Sequence, residues 1–335
     1  MTSFYFTFDI TGPARLPRRQ EVERCLRDHK CALALQLDAN VCLDIANFIT
    51  GRSRQPEHIK TCVRSLLRSI ELSGCDVIPG IGLMELGMKQ GTLSLNEDRY
   101  ASLAKAVWEG IHLNLSAIEA DSYTPTGTPK PPAYTPPVGA EVLSLFFEFV
   151  YCAFLKLHVL AKSGLSKSTA IGNTVEFLRW TDEELNLSIP FVLQFALGLF
   201  GGDTKVRKML KIDSETTPPS VTAWGATQDV FSLYAFQEAH LVKMAGPTRP
   251  VYVTRDTALF EVRRRIDFKG LVVNGGSPLI GFTTVDYDYP HFSDRADEIR
   301  DKLAAFQTRR LSSISSSIPP SPRKLIDALE HTLRG

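Results

Sequence analysis

Acidic residues stand at three points of the chain where the edge of a sheet could collect them. Asp38 ends the apolar run CALALQLD, which is typical of a buried parallel strand, and Asp256 ends the β-branched run RPVYVTRD. Just before the second run, the pattern predicts a helix with Thr227 as its N-cap and Asp229 in its first turn. Because ligands bind at the carboxyl edge of parallel strands, we expect these three carboxylates to converge in one crevice.

Converging carboxylates repel one another and would otherwise take up protons, and a bound divalent cation removes that conflict. Mg²⁺ and Mn²⁺ prefer oxygen ligands and usually keep some waters, which leaves positions for a substrate phosphate. Such a metal can generate hydroxide and stabilise the charge that develops during phosphodiester cleavage. The acidic residues therefore indicate a Mg²⁺ or Mn²⁺ site suited to phosphodiester hydrolysis.

Alternating strand and helix patterns must position these residues. They are, in order, a strand at 31–38, helices at 41–50 and 55–74, a strand and a helix within 75–91, a helix at 226–246, a strand at 249–256, a helix at 257–266 and a strand at 270–275. This alternation argues for an α/β fold.

The middle of the chain differs, because its patterns are helical. The helices are predicted at 96–120, 140–163, 167–182, 189–200 and 203–211, with a Pro-rich and Thr-rich loop at 122–139. We therefore predict an α/β domain formed by residues 1–91 and 221–290, interrupted by a helical insertion at 92–220. Residues 291–335 predict C-terminal helices at 294–310 and 323–334, joined by a Ser-rich linker.

Four short motifs follow one another in a definite order: a strand ending in D-x-N, a helix with G-x-x-x-x-E, a helix with an early Asp, and a strand ending in T-x-D. In this chain they are Asp38 with Asn40, Gly80 to Glu85, Asp229, and Thr254 with Asp256. The order resembles that of the PIN-domain family of metal-dependent nucleases, and the match covers about residues 30–92 and 221–280.

The resemblance implies a PIN-like three-layer α/β/α sandwich with a mainly parallel sheet, interrupted by the large all-helical insertion. It implies endonucleolytic cleavage, mostly of single-stranded RNA, with one or two Mg²⁺ or Mn²⁺ ions. It also implies that Asn40 and Thr254 position the ligand backbone and the attacking water. The implied metal ligands, direct or through water, are Asp38, Glu85, Asp229 and Asp256.

Each acidic residue also has a purely structural interpretation. Asp38 and Asp256 could cap the helices that follow them. Glu85 could lie on the exposed face of an amphipathic helix, and the dipole of its helix is enough to explain Asp229. Asp44, on the first predicted helix after Asp38, is expected to be an ordinary surface residue, with a place as a fifth acidic group of the site as the alternative.

Basic residues cluster after the second strand. Arg255, Arg263 and Arg264 are candidates for contacts to substrate phosphates, which position a nucleic acid without reading its sequence. The alternative is a solvated helix face, since consecutive arginines splay around a helix. Asp286 and Asp288 alternate with tyrosines and indicate an exposed strand or loop, with a metal role as the alternative.

Composition is that of an ordinary soluble globular protein, with 44% hydrophobic and 22% charged residues and a net charge of +1, so any polyanion site must be local. The six cysteines form no CxxC pair and the first 19 residues carry no visible secretory signal, so we expect reduced thiols in the cytoplasm. Residues 142–161 are apolar enough to raise a membrane question, but Glu148, Lys156 and His158 favour a buried helix.

The leading hypothesis is that the chain is a cytoplasmic endoribonuclease that acts on RNA. By analogy alone, such a nuclease could serve as a bacterial toxin or anti-phage effector. A structure-specific DNA nuclease and a catalytically inactive PIN-like scaffold that binds a protein are the alternatives. An inhibitory or regulatory protein partner and a homo-oligomer are further expectations, and no membrane is expected. No G-x-G-x-x-G or Walker motif follows a predicted strand, and the G-x-S-x-G pattern is missing, which disfavours nucleotide enzymes and serine hydrolases.

Overall fold

The structure is a computed structural model that forms two compact units. The first comprises Met1–Pro136 and Ser232–Phe260, and the second comprises Pro137–Phe231 and Glu261–Gly335. The residues described are 5–9, 12–51, 55–89, 94–120, 140–242, 248–274, 277–312 and 321–334. The predicted loop at 122–139, most of the Ser-rich linker and Gly246 lie outside these residues.

A single mixed sheet organises the first unit. Its strands are β1 (Phe6–Asp9), β2 (Gly12–Pro13), β3 (Ala32–Leu37), β4 (Asp76–Ile78) and β5 (Thr248–Thr254), in the order β2-β1-β5-β3-β4. The central strand β3 runs parallel to both β4 and β5, whereas β1 pairs antiparallel with β5 and β2. The α/β class is confirmed, but the predicted mainly parallel sheet is mixed, because the first residues of the chain add an antiparallel hairpin at one edge.

Helices enclose this sheet and form its hydrophobic core. They are α1 (Arg19–His29), α2 (Ala39–Thr50), α3 (Glu57–Ser73), α4 (Gly80–Gly87), α5 (Glu97–Ile111) and α6 (Leu115–Glu119). Five of the six residues of β3 are buried, as expected for a parallel strand covered on both faces. Helix α3 ends as predicted at Gly74, whose φ of 63° closes the helix in the left-handed conformation. Helices α5 and α6, predicted as part of the insertion, belong to this unit.

The register of the sheet brings three chain segments to the same edge. Leu37 pairs with Val253 of β5, and Gln36 pairs with Ile78 of β4. The residues that follow, Asp38, Thr254 and Pro79, therefore leave the sheet side by side. This is the carboxyl edge of the parallel strands, where ligands are expected to bind.

The second unit is mainly helical. Its elements are α7 (Ala140–Ala161), α8 (Lys167–Trp180), a π-helical turn (Thr181–Leu185), α9 (Pro190–Gly201), α10 (Thr204–Met209), the start of α11 (Pro219–Val242), the end of α12 (Thr257–Arg264), β6 (Ile266–Asn274), β7 (Ser277–Val285), a 3-10 turn (Pro290–Arg295), α13 (Ala296–Ser312) and α14 (Arg323–Arg334). A strand was predicted only at 270–275. Its described residues lie in β6, which pairs antiparallel with β7 in a two-stranded sheet.

The predicted start of helix α11 is wrong. The helix begins at Pro219, so Thr227 is an interior residue whose Oγ1 donates to the carbonyl of Ala223 at 2.7 Å rather than an N-cap. Proline is favoured in the first helical turn because it lacks an N–H to satisfy. Asp229 consequently lies well inside the helix, where the dipole of the first turn does not explain it.

One helical segment, Ser144–Ala161, is long and apolar enough to cross a membrane. Core helices of soluble proteins pass the same test, and 61% of this segment is buried in the structure. Lys156 forms an ion pair with Glu176 at 3.6 Å, and His158 is buried, with burial lowering its pKa to about 4. All six cysteines are free thiols. The cytoplasmic localisation stays a prediction.

Candidate metal centre

Asp38 lies at the carboxyl end of β3, where three side chains hold its buried carboxylate. It is 2% exposed. Tyr252 donates its hydroxyl to Oδ1 at 2.9 Å, while Thr254 and Asn40 both donate to Oδ2 at 2.6 Å. Asp38 occupies the N-cap position of α2 but makes no side-chain capping hydrogen bond. Its burial is therefore not explained by helix capping.

Glu85 projects from α4, and its contacts involve two residues that sequence reasoning missed. Ser232, on α11, donates its hydroxyl to Oε2 of Glu85 at 3.2 Å. The carbonyl of Ser232 accepts a hydrogen bond from the buried Gln36 of β3 at 3.4 Å. A glutamine inside the otherwise apolar run CALALQLD was the available signal, because a buried amide needs a hydrogen-bonding partner.

Gly82 sets the distance between α4 and the end of β3. A Cβ at this position would lie 2.7 Å from the carbonyl oxygen of Leu37, 2.8 Å from the carbonyl carbon of Asp38 and 2.9 Å from the nitrogen of Ala39. Only glycine permits this approach, since all three atoms belong to the backbone. Glu85 follows three residues later on the same helix face, so the close packing at Gly82 brings its carboxyl group toward Asp38.

The two carboxyl groups perturb each other electrostatically. Burial raises the pKa of Asp38, which the hydrogen bonds from Thr254 and Tyr252 partly offset, and the charge of Asp256 raises it further. Burial and then the charge of Asp38 raise the pKa of Glu85 to about 8. The pKa of the buried Cys42 thiol is also raised, by burial and then by the charges of Asp38 and Glu85. The buried carboxyl of Asp38 and the half-buried carboxyl of Glu85 thus interact electrostatically.

Asn40 and Thr254 hydrogen-bond to Asp38 and connect the end of β3 to the end of β5. The amide of Asn40 also approaches Thr254 Oγ1 at 3.4 Å, and its Oδ1 accepts the backbone N–H of Arg255 at 3.0 Å. Thr254 Oγ1 in turn accepts the backbone N–H of Asp256 at 2.9 Å. The D-x-N and T-x-D segments therefore form one polar network around Asp38.

Asp256 caps helix α12 and also lies near Asp38. Its Oδ1 accepts the backbone N–H groups of Ala258 at 2.7 Å and Leu259 at 2.9 Å, which caps α12. The capping interpretation thus holds for this residue, although its charge still reaches Asp38.

Asp229 lies on α11 in the part of the helix that belongs to the second unit. It precedes Ser232, at which the first unit resumes, by three residues. Within the described ranges, no group of three or more His, Cys, Asp or Glu side chains is arranged to hold a metal. The first unit therefore presents a pair of carboxyl groups, Asp38 and Glu85, with Asp256 close by. The four-ligand set stays a prediction.

The expectation for Asp44 is wrong, because this residue is only 5% exposed. Its Oδ2 accepts the hydroxyl of Tyr5 at 3.2 Å and lies 3.1 Å from Nε of Arg255. Asp44 follows Asn40 by four residues, so the two share the face of α2 that is turned toward the end of β5. That i,i+4 spacing in NVCLD was the signal for a connected polar pair.

The other two candidate arginines lie in the second unit. Arg263 is buried, and its Nη1 donates to the carbonyl of Ile266 at 2.9 Å. Arg264 is exposed and forms an ion pair with Glu261 at 2.6 Å. Asp286, just after β7, forms an ion pair with Arg265 at 2.7 Å rather than standing free.

No protein-family model matches the chain, and no curated protein or solved structure matches it either. A functional assignment therefore has to be argued from the site.

Replacing Glu85 with Gln should change how stability depends on pH. A carboxyl group whose pKa is higher in the folded chain binds its proton more tightly there, so stability falls as pH rises from about 4.5 to about 8. Near pH 8 the free energy of unfolding of the Glu85→Gln variant should be roughly 2–4 kcal/mol higher than that of the unsubstituted chain, because Gln carries no charge. Near pH 4.5 the two free energies should be equal. Urea denaturation without metal over this pH range measures it.

Glu71→Gln is the matched control, because Glu71 is an exposed residue on α3. It should follow the pH profile of the unsubstituted chain. Parallel profiles for the Glu85 variant and this control would contradict the assigned environment of Glu85.

Proposed function

We propose that this chain is a metal-dependent nuclease that hydrolyses phosphodiester bonds, with single-stranded RNA as its preferred substrate. The observation that carries the proposal is the pairing of the buried Asp38 with the half-buried Glu85 near the carboxyl edge of parallel strands, where burial and the charge of Asp38 raise the pKa of Glu85 to about 8. A buried carboxyl beside a half-buried one costs folding free energy, and a cation bound to both would offset that cost.

The pair suits a hard divalent cation. Mg²⁺ is commonly bound through one or two carboxylates, with waters and substrate phosphates as its other ligands, so a pair is sufficient. Tyr252, Thr254 and Asn40 donate hydrogen bonds to the Asp38 carboxylate, and a bound cation would share these oxygens with them. Among the described residues, Glu85 accepts a side-chain hydrogen bond from Ser232 alone. Mg²⁺ or Mn²⁺ held there would supply a Lewis acid and a source of hydroxide.

The surrounding side chains hold the first ligand in place. Tyr252, Thr254 and Asn40 fix the orientation of the Asp38 carboxylate, as second-layer partners of metal ligands commonly do. Gly82 and Ser232 fix Glu85 in the same way. Asp256 enters the proposal as a ligand acting through water. The PIN-like sandwich is part of the same proposal, as are the cytoplasmic location and a regulatory protein or homo-oligomeric partner.

A substrate comparison tests the activity. The purified chain with Mn²⁺ should cleave single-stranded RNA internally and faster than flapped or duplex DNA, and EDTA should stop the reaction. Faster cleavage of flapped DNA would favour a structure-specific DNA nuclease. Absence of cleavage on all three substrates, with either Mg²⁺ or Mn²⁺, would contradict the nuclease proposal.

A non-catalytic scaffold is the second candidate, and the capping role of Asp256 favours it. One expected ligand is engaged by α12, and Asp38 is already hydrogen-bonded three times. A scaffold should show no thermal stabilisation by Mn²⁺. A nuclease site should show a midpoint that rises with the Mn²⁺ concentration, because a ligand that binds only the folded state stabilises it.

A further inference from the structure

A buried anchor holds one exposed arginine beside the acidic pair. Asp44 is buried on α2, and its Oδ2 receives both the Tyr5 hydroxyl at 3.2 Å and the approach of Arg255 Nε at 3.1 Å. Burial raises the pKa of Asp44, and the positive charge of Arg255 opposes that rise. The Nε side of the Arg255 guanidinium thus neutralises the Asp44 carboxylate.

The other side of that guanidinium is available to a ligand. The Arg255 side chain is 43% exposed, and its approach to Asp44 is through Nε. Neither Nη atom donates a hydrogen bond to any residue in the described part of the chain. By contrast Arg249, at the other end of β5, uses its Nη2 to pair with Asp9 at 3.1 Å.

The backbone places Arg255 next to the candidate metal centre. Its N–H donates to Asn40 Oδ1 at 3.0 Å, and the amide of the same Asn40 donates to Asp38 at 2.6 Å. Arg255 also stands between Thr254, which holds Asp38, and Asp256, whose charge reaches Asp38. An anion bound to the outer guanidinium nitrogens would therefore lie beside the acidic pair.

We propose that Arg255, held by Asp44, binds a backbone phosphate of the nucleic acid next to the scissile one, a role that rests on the nuclease function proposed above. The planar guanidinium offers two parallel N–H donors, which match two phosphate oxygens. Asp44 and Tyr5 are positioning residues, because they fix the plane of the guanidinium without touching the substrate. The contact reads no sequence, so it suits an enzyme that accepts many RNA sequences.

Binding without metal tests this subsite separately from cleavage. The probe is a fluorescein-labelled single-stranded polyuridine RNA, and its anisotropy is followed in EDTA over a series of salt concentrations. Arg255→Met should weaken binding several-fold and lower the slope of log affinity against log salt by about 0.7, the value for one lost phosphate contact to a single strand. Arg249→Met is the matched control, with a 46% exposed side chain on the same strand, and should leave both quantities unchanged.

Asp44→Asn gives the sharper result, because two accounts predict opposite signs. Removing a negative charge near a polyanion should tighten binding if only net charge matters. If Asp44 orients Arg255, binding should weaken several-fold while the salt slope stays the same, since the arginine charge remains. Asn still accepts the Tyr5 hydroxyl, and denaturation curves report whether the fold is kept.

The two proposals fail in distinguishable ways. Loss of RNA binding in Arg255→Met, together with no cleavage by the unsubstituted chain, would leave the subsite in place and refute the nuclease. Equal binding by the Arg255 and Arg249 variants, tighter binding by Asp44→Asn, or no measurable RNA binding by the unsubstituted chain would overturn the subsite.

Discussion

Asp38→Asn should reduce metal-dependent RNA cleavage at least ~100-fold, because even the partners of metal ligands are worth ~10–100-fold in affinity or activity. The substitution keeps the size and shape of the side chain but removes the negative charge that would bind a cation. Initial rates of cleavage of labelled single-stranded RNA with Mn²⁺ measure the effect. The amide oxygen can still accept from the donors at one of the two former carboxylate oxygens, either Tyr252 or Thr254, so the cost in stability should stay within ~1–3 kcal/mol.

The matched control for this experiment is Asp76→Asn. Asp76 begins β4, in the same sheet, but its side chain is exposed. This variant should cleave at the rate of the unsubstituted chain. Retention of full activity by Asp38→Asn, in a preparation that folds normally and loses activity in EDTA, would remove Asp38 from the reaction.

Gly82→Ala should destabilise the first unit. The added Cβ would meet backbone atoms of Leu37, Asp38 and Ala39 at 2.7–2.9 Å, and none of these atoms can rotate away. Alanine favours helix by about 1 kcal/mol over glycine, but the clash outweighs this and should give a net loss of about 1–3 kcal/mol. Denaturant unfolding measures the loss. Displacement of α4 should also carry Glu85 away from Asp38 and weaken Mn²⁺ binding.

Gly80 provides the control two residues earlier on the same helix. A Cβ at Gly80 would meet nothing within 4 Å, so Gly80→Ala should be neutral or slightly stabilising. Equal stabilities for the two alanine variants would mean that α4 does not pack closely on the end of β3, and the positioning of Glu85 would need another cause.

The site could be predicted in part from sequence because strand ends follow simple rules. An apolar run that ends in an acidic residue places that residue at a sheet edge, and the ends of the two predicted strands do lie side by side, with β5 ending at Thr254, two residues before Asp256. The D-x-N spacing likewise placed Asn40 within reach of Asp38. These are local consequences of strand geometry, which is why they need no knowledge of tertiary packing.

Other features depend on contacts between distant segments, which periodicity does not report. The helical pattern around Asp44 is that of a surface residue. Tyr5, which lies 39 residues earlier in the chain, and Arg255, which follows β5, nevertheless contact it. The role of Gly82 exists only because α4 meets the backbone at Leu37 and Asp38. The start of α11 at Pro219 was missed because Thr227 is an equally good N-cap on local grounds.

The central claim is that Asp38 and Glu85 share one divalent cation. Crystals of the full chain soaked in Mn²⁺, with diffraction recorded near the manganese absorption edge, test it most directly. We expect an anomalous peak with Asp38 and Glu85 oxygens at ~2.1–2.2 Å from it and water at the other positions, and we expect no such peak in Glu85→Gln crystals. A fully occupied manganese elsewhere, with these two carboxyl groups protonated and bonded to each other, would contradict it.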